Sequence, residues 1–163
     1  IVASSGSVIP NFLDQSKKGI LYLTDKKMTR FNMTLQESIE FVLFSLKKMW
    51  GGEIFVPKIP SYRLLDLAKA VSSKAKIKYT GIRTGEKLHE EMISSSDSMN
   101  TLEYKDHFVI VPNSIFINWD KKMYLKKNKG GKNCTEDFSY NSKQNENFLT
   151  VNQLKKIIKN ILQ

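Results

Sequence analysis

The chain has one cysteine and two histidines among its 163 residues. Cys134, standing alone, makes no internal disulfide. That fits a reducing compartment and an inert or exposed thiol rather than a nucleophile. His89 and His107 are far apart and lack metal-ligand spacing, so no metal site is expected. His89 falls in a helix-like run and reads as a surface or packing residue. No segment approaches the ~20 apolar residues of a membrane span, and no signal-peptide pattern occurs, so no membrane partner is expected. There is no Gly-x-Gly-x-x-Gly after a strand, no Walker-type loop and no Gly-x-Ser-x-Gly elbow. Nothing pairs a nucleophile with a base, so no catalytic residue is expected in this chain.

What is present begins abruptly. The opening "IVASSGSVIP" has no methionine and no polar lead-in, and Ile1-Val2-Ala3 reads as the tail of a buried strand. The expectation is a sequence that starts mid-domain. A hydrophobic fraction of 40% excludes disorder of the whole chain. The formal charge of +10 is carried by scattered pairs, among them Lys17-Lys18, Lys47-Lys48 and Lys126-Lys127. With no single basic block and no aromatic stacking platform, nucleic acid is not an expected partner.

Hydrophobic periodicity and turn residues divide the chain into elements. Val8 to Ser16 reads as a short helix, with Pro10 tolerated in its first turn. "ILYLTDKKMTRFNM" reads as a hairpin of Ile20–Leu23 and Met28–Met33. Thr34-Leu35-Gln36-Glu37 has the form of a capping box. It opens a helix with Leu35, Ile39, Val42, Leu43, Leu46 and Met49 on one face, stopped by Gly51-Gly52. "EIFVP" is apolar throughout, as in a parallel strand covered on both faces. A helix is expected from Pro60-Ser61 with Leu64, Leu65, Ala68 and Val71 inward, then a strand over "KIKYTGI" and a short helix over "EKLHEEMI". "HFVIVP" is one more strand and "KKNKGGKNC" a loop or mobile tail segment. Thr150 to Gln153 repeats the capping-box pattern ahead of an amphipathic helix with Leu154, Ile157, Ile158, Ile161 and Leu162. The alternation points to an α/β fold with a parallel sheet.

The segment "GIRTGEKLHEEM", residues 81–92, gathers the charges that fit a ligand. Arg83 follows a strand at its C-terminal end, where open α/β sheets bind ligands. Its planar fork of donors matches a phosphate bidentately. Gly85 permits a tight turn, and Glu86 offers an acceptor for sugar hydroxyls. The residues alone leave a diphosphate-and-ribose site and a structural Arg–Glu pair equally open. Arg30 is an arginine in a lysine-rich chain, and from the residues alone it reads more readily as an ordinary solvent-facing strand residue than as a ligand contact.

The block "MTRFNMTLQESIEFVLFSLKKMWGGEIFVPKIPSYRLLDLAKAV", followed by "GIRTGEKLHEEM", resembles the C-terminal half of the inverting UDP-N-acetylglucosamine 4,6-dehydratases, which are extended short-chain dehydrogenase/reductases of the pseudaminic acid pathway. "GSVIPNF" and "FSYNSKQNENFLT" are also similar to that family. The resemblance implies an extended Rossmann-type fold lacking its N-terminal nucleotide-binding half. It implies that residues 1–112 form the substrate-binding C-terminal portion and residues 113–163 a C-terminal extension. It implies that Arg30 and Arg83 hold the diphosphate of a UDP-sugar, that Glu86 contacts the ribose and that Tyr22 lies near the uracil. NADP and the catalytic Tyr-x-x-x-Lys of the family belong to the part ahead of Ile1. There the family oxidises the sugar at C4, eliminates water across C5 and C6, and returns hydride to C6 with inversion at C5. The chain alone is therefore expected to be inactive and cytoplasmic, to dock on a missing N-terminal half, and to join a homo-oligomer as the family does. Three positions depart from the family: Thr84 stands for a usual proline, Ser5 for an arginine and Asn32 for a tryptophan. Another nucleotide-sugar dehydratase or epimerase fragment is one alternative. A non-catalytic remnant or interaction module is the other.

Overall fold

The computed structural model describes residues 7–113 and 119–162. The expected strand remnant at Ile1–Ala3 and the Ser5 departure lie outside the described residues. In chain order the elements are α1 (Val8–Lys17), β1 (Ile20–Leu23), β2 (Thr29–Phe31), α2 (Leu35–Lys48), β3 (Ile54–Pro57), β4 (Ser61–Arg63), α3 (Leu64–Val71), β5 (Lys76–Tyr79) and β6 (Glu91–Ile93). After a 3-10 turn at Ser95–Asn100 come β7 (Thr101–Glu103), β8 (His107–Ile110), α4 (Lys121–Lys127), β9 (Lys132–Asn133), β10 (Tyr140–Asn141) and α5 (Val151–Ile161). They group into two compact units. The described residues of the first are 7–35, 59–90 and 141–162, and those of the second are 36–58, 91–113 and 119–140.

In the first unit β1 runs parallel to β5, with Ile20 opposite Lys76 and Leu23 opposite Tyr79. The two-residue period of a strand sends Leu21 and Leu23 into the core and leaves Tyr22 outward. Phe12 of α1, Met28, Leu64 and Leu67 of α3, and Leu154 and Ile158 of α5 complete that core. The terminal helix begins as its sequence predicts. Thr150 Oγ1 accepts from Gln153 N, and the Gln153 side chain accepts from Thr150 N, closing a capping box.

The expected hairpin does not form. β2 pairs antiparallel with β4, Arg30 opposite Tyr62, and not with β1. The connection Thr24–Lys27 lacks the Asn-Gly or Asp-Gly pair that reverses a hairpin. Asp25 Oδ1 instead accepts from Lys27 N at 2.6 Å, and Met28 drops into the core. Pairing with β2 also delays the helix expected at Pro60: Ser61–Arg63 are strand, and α3 starts at Leu64. α3 buries Leu64, Leu67, Ala68 and Ala70, with Leu65 and Val71 half-buried.

The second unit is built on an antiparallel sheet of order β3-β8-β7-β9. "EIFVP" is therefore not the doubly covered parallel strand of the sequence reading. It is an antiparallel edge strand with Ile54 exposed. "KKNKGGKNC" is not a tail but carries β9, which pairs Lys132 with Glu103. Asp120 caps α4 by accepting from Lys122 N and Met123 N. α2 differs most from a helix that turns its apolar face to a core. Phe41 and Phe44 make its inward contacts, to His107 and Phe55. Leu35, Ile39, Val42, Leu43, Leu46 and Met49 point away and are 45–61% exposed.

Candidate functional site

The segment after β5 is a turn and loop, not the expected helix. Its carbonyls and amides are used by neighbouring chain before a helix can take them. Leu88 O accepts from Thr29 N at 3.0 Å and from Arg30 Nη1 at 3.1 Å. Glu90 N donates to Ser142 Oγ at 2.9 Å, and Ser142 N donates to Glu90 O at 2.8 Å. Glu86 consequently has no helix dipole behind it.

Arg83 opens a tight turn. Glu86 N donates to Arg83 O at 3.0 Å, and Gly85 has φ of 81° at the third position, the pattern of a type II turn. Glu86 braces the turn: Oε2 accepts from Arg83 N at 3.3 Å and Oε1 from Thr24 Oγ1 at 3.2 Å. The Arg83 side chain is exposed and makes no hydrogen bond or ion pair among the described residues. Each Glu86 oxygen keeps a lone pair for a further donor such as a sugar hydroxyl.

Thr84 occupies the second position of this turn, where type II turns favour proline. Its N–H takes no hydrogen bond among the described residues. Thr84→Pro is expected to raise stability by about 0.4–1 kcal/mol through the unfolded chain, and Gly85→Ala to lower it because of the positive φ. Denaturant midpoints check both, and a destabilising proline would contradict the turn type.

Arg30 is not the ordinary solvent-facing strand residue that the sequence suggests. Its side chain is 21% exposed and is held on several sides. Nε stands 3.2 Å from Glu90 Oε1, Nη1 donates to the carbonyls of Thr29 and Leu88, and Nη2 lies 3.1 Å from Met28 Sδ. Burial pushes its strand partner Tyr62 up to about 12, so the phenol beside Arg30 stays neutral. Arg30 thus ties β2 to the loop that follows Arg83. Its charge faces one carboxylate already, and an incoming diphosphate would compete with Glu90. Tyr22 is exposed on β1, and its amide donates to Gln15 Oε1 at 2.8 Å. The structure braces Arg83 with Glu86 in one turn and ties Arg30 to Leu88 and Glu90 of the loop that follows; among the described residues Tyr22 has no hydrogen bond or ion pair to any of the three.

A buried polar knot locks this neighbourhood. Thr29 Oγ1 lies 2.8 Å from His89 Nδ1 and 2.7 Å from Ser142 Oγ. Thr29 and Ser142 are 113 positions apart, so no local spacing announces them. Asn32 is buried, and its backbone N–H donates to Pro60 O at 2.8 Å. His89 is a structural residue, as read, although on a loop and not a helix. Burial, aided by Lys143 and Arg30, holds its pKa below the usual histidine range. Such a group binds fewer protons folded than unfolded. Its contribution is complete above the unfolded value of ~6.5 and is lost as pH falls through the lowered one. His107, shifted the same way by burial, adds to the same limb. Stability is expected to fall below about pH 6.5, and His89→Gln to flatten that fall. Urea midpoints across this range test the sign.

Other chemistry is thin. Burial raises the Cys134 thiol to about 11, which makes it a poor nucleophile. Among the described residues there is no cluster of three or more metal-ligating side chains and no helix long and apolar enough to cross a membrane. A tyrosine and a lysine four apart do occur, Tyr22 and Lys26. One is on β1 and the other in the turn beyond it, so they do not share a helix face.

Residues 1–112 match the family described as polysaccharide biosynthesis protein. Over 161 residues the chain is 40% identical to the UDP-N-acetylglucosamine 4,6-dehydratase (inverting) of Campylobacter jejuni serotype O:2, covering 97% of this chain and 48% of that protein. It is 37% identical over 126 residues to the UDP-glucose 4-epimerase of Rickettsia conorii, covering 74% of this chain and 37% of that one. The X-ray structure of Pen from Bacillus thuringiensis is similar with a TM-score of 0.78 and 29% identity, over 99% of this chain and 48% of that chain. The expected α/β fold class holds, with parallel and antiparallel pairing both present. The chain spans about half the length of the curated relatives it matches. With a family match over residues 1–112 and a relative 40% identical across 97% of this chain, the chain belongs to the polysaccharide biosynthesis protein family.

Proposed function

We propose that this chain is the UDP-sugar-binding half of a C5-inverting UDP-N-acetylglucosamine 4,6-dehydratase, of the kind that begins pseudaminic acid synthesis. The observation that carries it is Arg83: an exposed guanidinium with no partner among the described residues, at the start of a braced turn. It takes the diphosphate, Glu86 takes the ribose, and Arg30 exchanges part of its contact with Glu90 for phosphate. Tyr22 flanks the base. No residue described here fits NADP: among the described residues no Gly-x-Gly-x-x-Gly loop follows a strand, and the tyrosine–lysine pair spaced four apart, Tyr22 and Lys26, does not share a helix face. NADP supplies hydride chemistry in the half of the relatives that this chain does not span, and the chain alone is inactive.

That other half docks on the outward face of α2. Ile39, Val42, Leu43 and Leu46 form an apolar stripe too large to leave in water, beside the unpaired outer edge of β3. The assembly works in the cytoplasm, where the lone cysteine stays reduced, and as a homo-oligomer. The test is to co-express the chain with the unmatched half of the Campylobacter jejuni relative and supply UDP-N-acetylglucosamine. A 4-keto-6-deoxy sugar inverted at C5 supports the reading; no complex, or no product, overturns it. The match to UDP-glucose 4-epimerase keeps a second reading, an epimerase half-site. A product altered only at C4 in the same assay would select it.

A further inference from the structure

The second unit contains a cavity of about 440 Å³ that the UDP-sugar reading does not use. Its size lies within the ~300–1,000 Å³ of small-molecule sites. Its walls come from the inner side of α2, the turn between β7 and β8, and the C-terminal end of α4 with the residues after it.

The wall is aromatic and fixed. Phe41 and Phe44 stack with centroids 6.0 Å apart, and Phe44 meets the edge of His107 at 5.0 Å. Tyr104 lies parallel to His107, 4.7 Å away and within 2° of coplanar. Two bonds hold Tyr104 in place: its amide donates to His107 O at 2.8 Å and its hydroxyl to Asn128 O at 3.1 Å. Gly131 makes room for it, since a Cβ there would stand 2.5 Å from Tyr104 Cζ.

The rim is cationic. Lys48, Lys105, Lys127 and Lys129 all line the cavity, and Asp106 is the one carboxylate among the lining residues. None of the four lysines has an ion pair among the described residues, although Lys127 Nζ sits 5.5 Å over the Trp50 ring. Four exposed lysines around an apolar aromatic pocket favour a ligand with a flat apolar body and a concentrated negative charge. Phosphate satisfies several ammoniums at once, and an aromatic body satisfies the wall.

We propose that this cavity is a second ligand site, taking a small aromatic phosphate of the mononucleotide class. The probe is AMP, added to the ¹⁵N-labelled full chain and followed by amide shifts, with adenosine and inorganic phosphate titrated separately. AMP shifts the amides of Lys105, His107, Lys129 and Gly130 and saturates. Adenosine and phosphate each bind at least about tenfold more weakly, because each lacks one half of the recognised chemistry. Lys105→Glu with Lys129→Glu, both on exposed side chains, weakens AMP by at least about tenfold. Arg83→Ala leaves it unchanged. Should the double variant lose its folded spectrum, Lys48→Gln serves in its place and weakens AMP about threefold. Phosphate binding as tightly as AMP would reduce the site to a cationic surface and overturn the proposal. So would shifts confined to the Arg83 turn, which would leave the UDP-sugar reading standing, or affinity indifferent to the lysine changes.

Discussion

Arg83→Ala lowers UDP affinity by at least about tenfold, roughly 1.5 kcal/mol, in the protein completed by its other half. The size is that of a charge-assisted hydrogen bond lost to a phosphate. The change is clean because nothing in the fold depends on the side chain. The turn is closed by the Arg83 backbone, the Glu86 carboxylate and Thr24. Arg83→Lys keeps the charge and loses the planar fork, so it falls between wild type and alanine. Arg30 cannot serve the same purpose. Removing it also strips Glu90 of its partner and frees the carbonyls of Thr29 and Leu88. Calorimetry with UDP decides the matter, and equal affinities for Arg83→Ala and wild type would remove Arg83 from the site.

The largest effect on stability is expected in the last helix. Leu154 is 1% exposed and packs with Leu64, Leu67 and Ala68 of α3. Leu154→Ala removes buried methyl groups and leaves a cavity, which costs about 2–5 kcal/mol. Ile161, two helical turns further along the same run, is 38% exposed. Ile161→Ala costs below about 1 kcal/mol, since exposed positions lose little transfer free energy. Urea denaturation of both variants measures the contrast. Similar small losses would mean that α5 is an appended helix and not a wall of the first core.

Legibility in the sequence followed the range of the forces involved. The capping box at Thr150 and the inward Leu154 and Ile158 were legible because three- and four-residue spacings encode them. β8 was legible as an apolar run, and β5 as a short strand-like run around Ile77 and Tyr79. The partner of β2 was not, since a strand's own residues do not say which edge it joins. The false helix over "EKLHEEMI" has the same origin: good helix formers lost to hydrogen bonds from Thr29, Arg30 and Ser142, all distant in sequence. Within the candidate site, Arg83 and Glu86 were visible as a short charged motif around a glycine. The resemblance added Arg30. Thr24, Glu90 and the Thr29–His89–Ser142 knot carry no local signal, because each works only through a contact made by folding.

The first unit draws on three stretches of chain, 7–35, 59–90 and 141–162, with the second unit's residues lying between them. A ribosome delivers these stretches in order, at roughly 5–20 residues per second. β1, α3 and β5 emerge early, yet their core has no Leu154 or Ile158 until the last helix is made, and Thr29 has no Ser142. The loop bearing Arg83 therefore gains its Ser142 contacts, at Glu90, only near the end of synthesis. A premature stop that spares every proposed ligand contact would still leave that loop without this anchor.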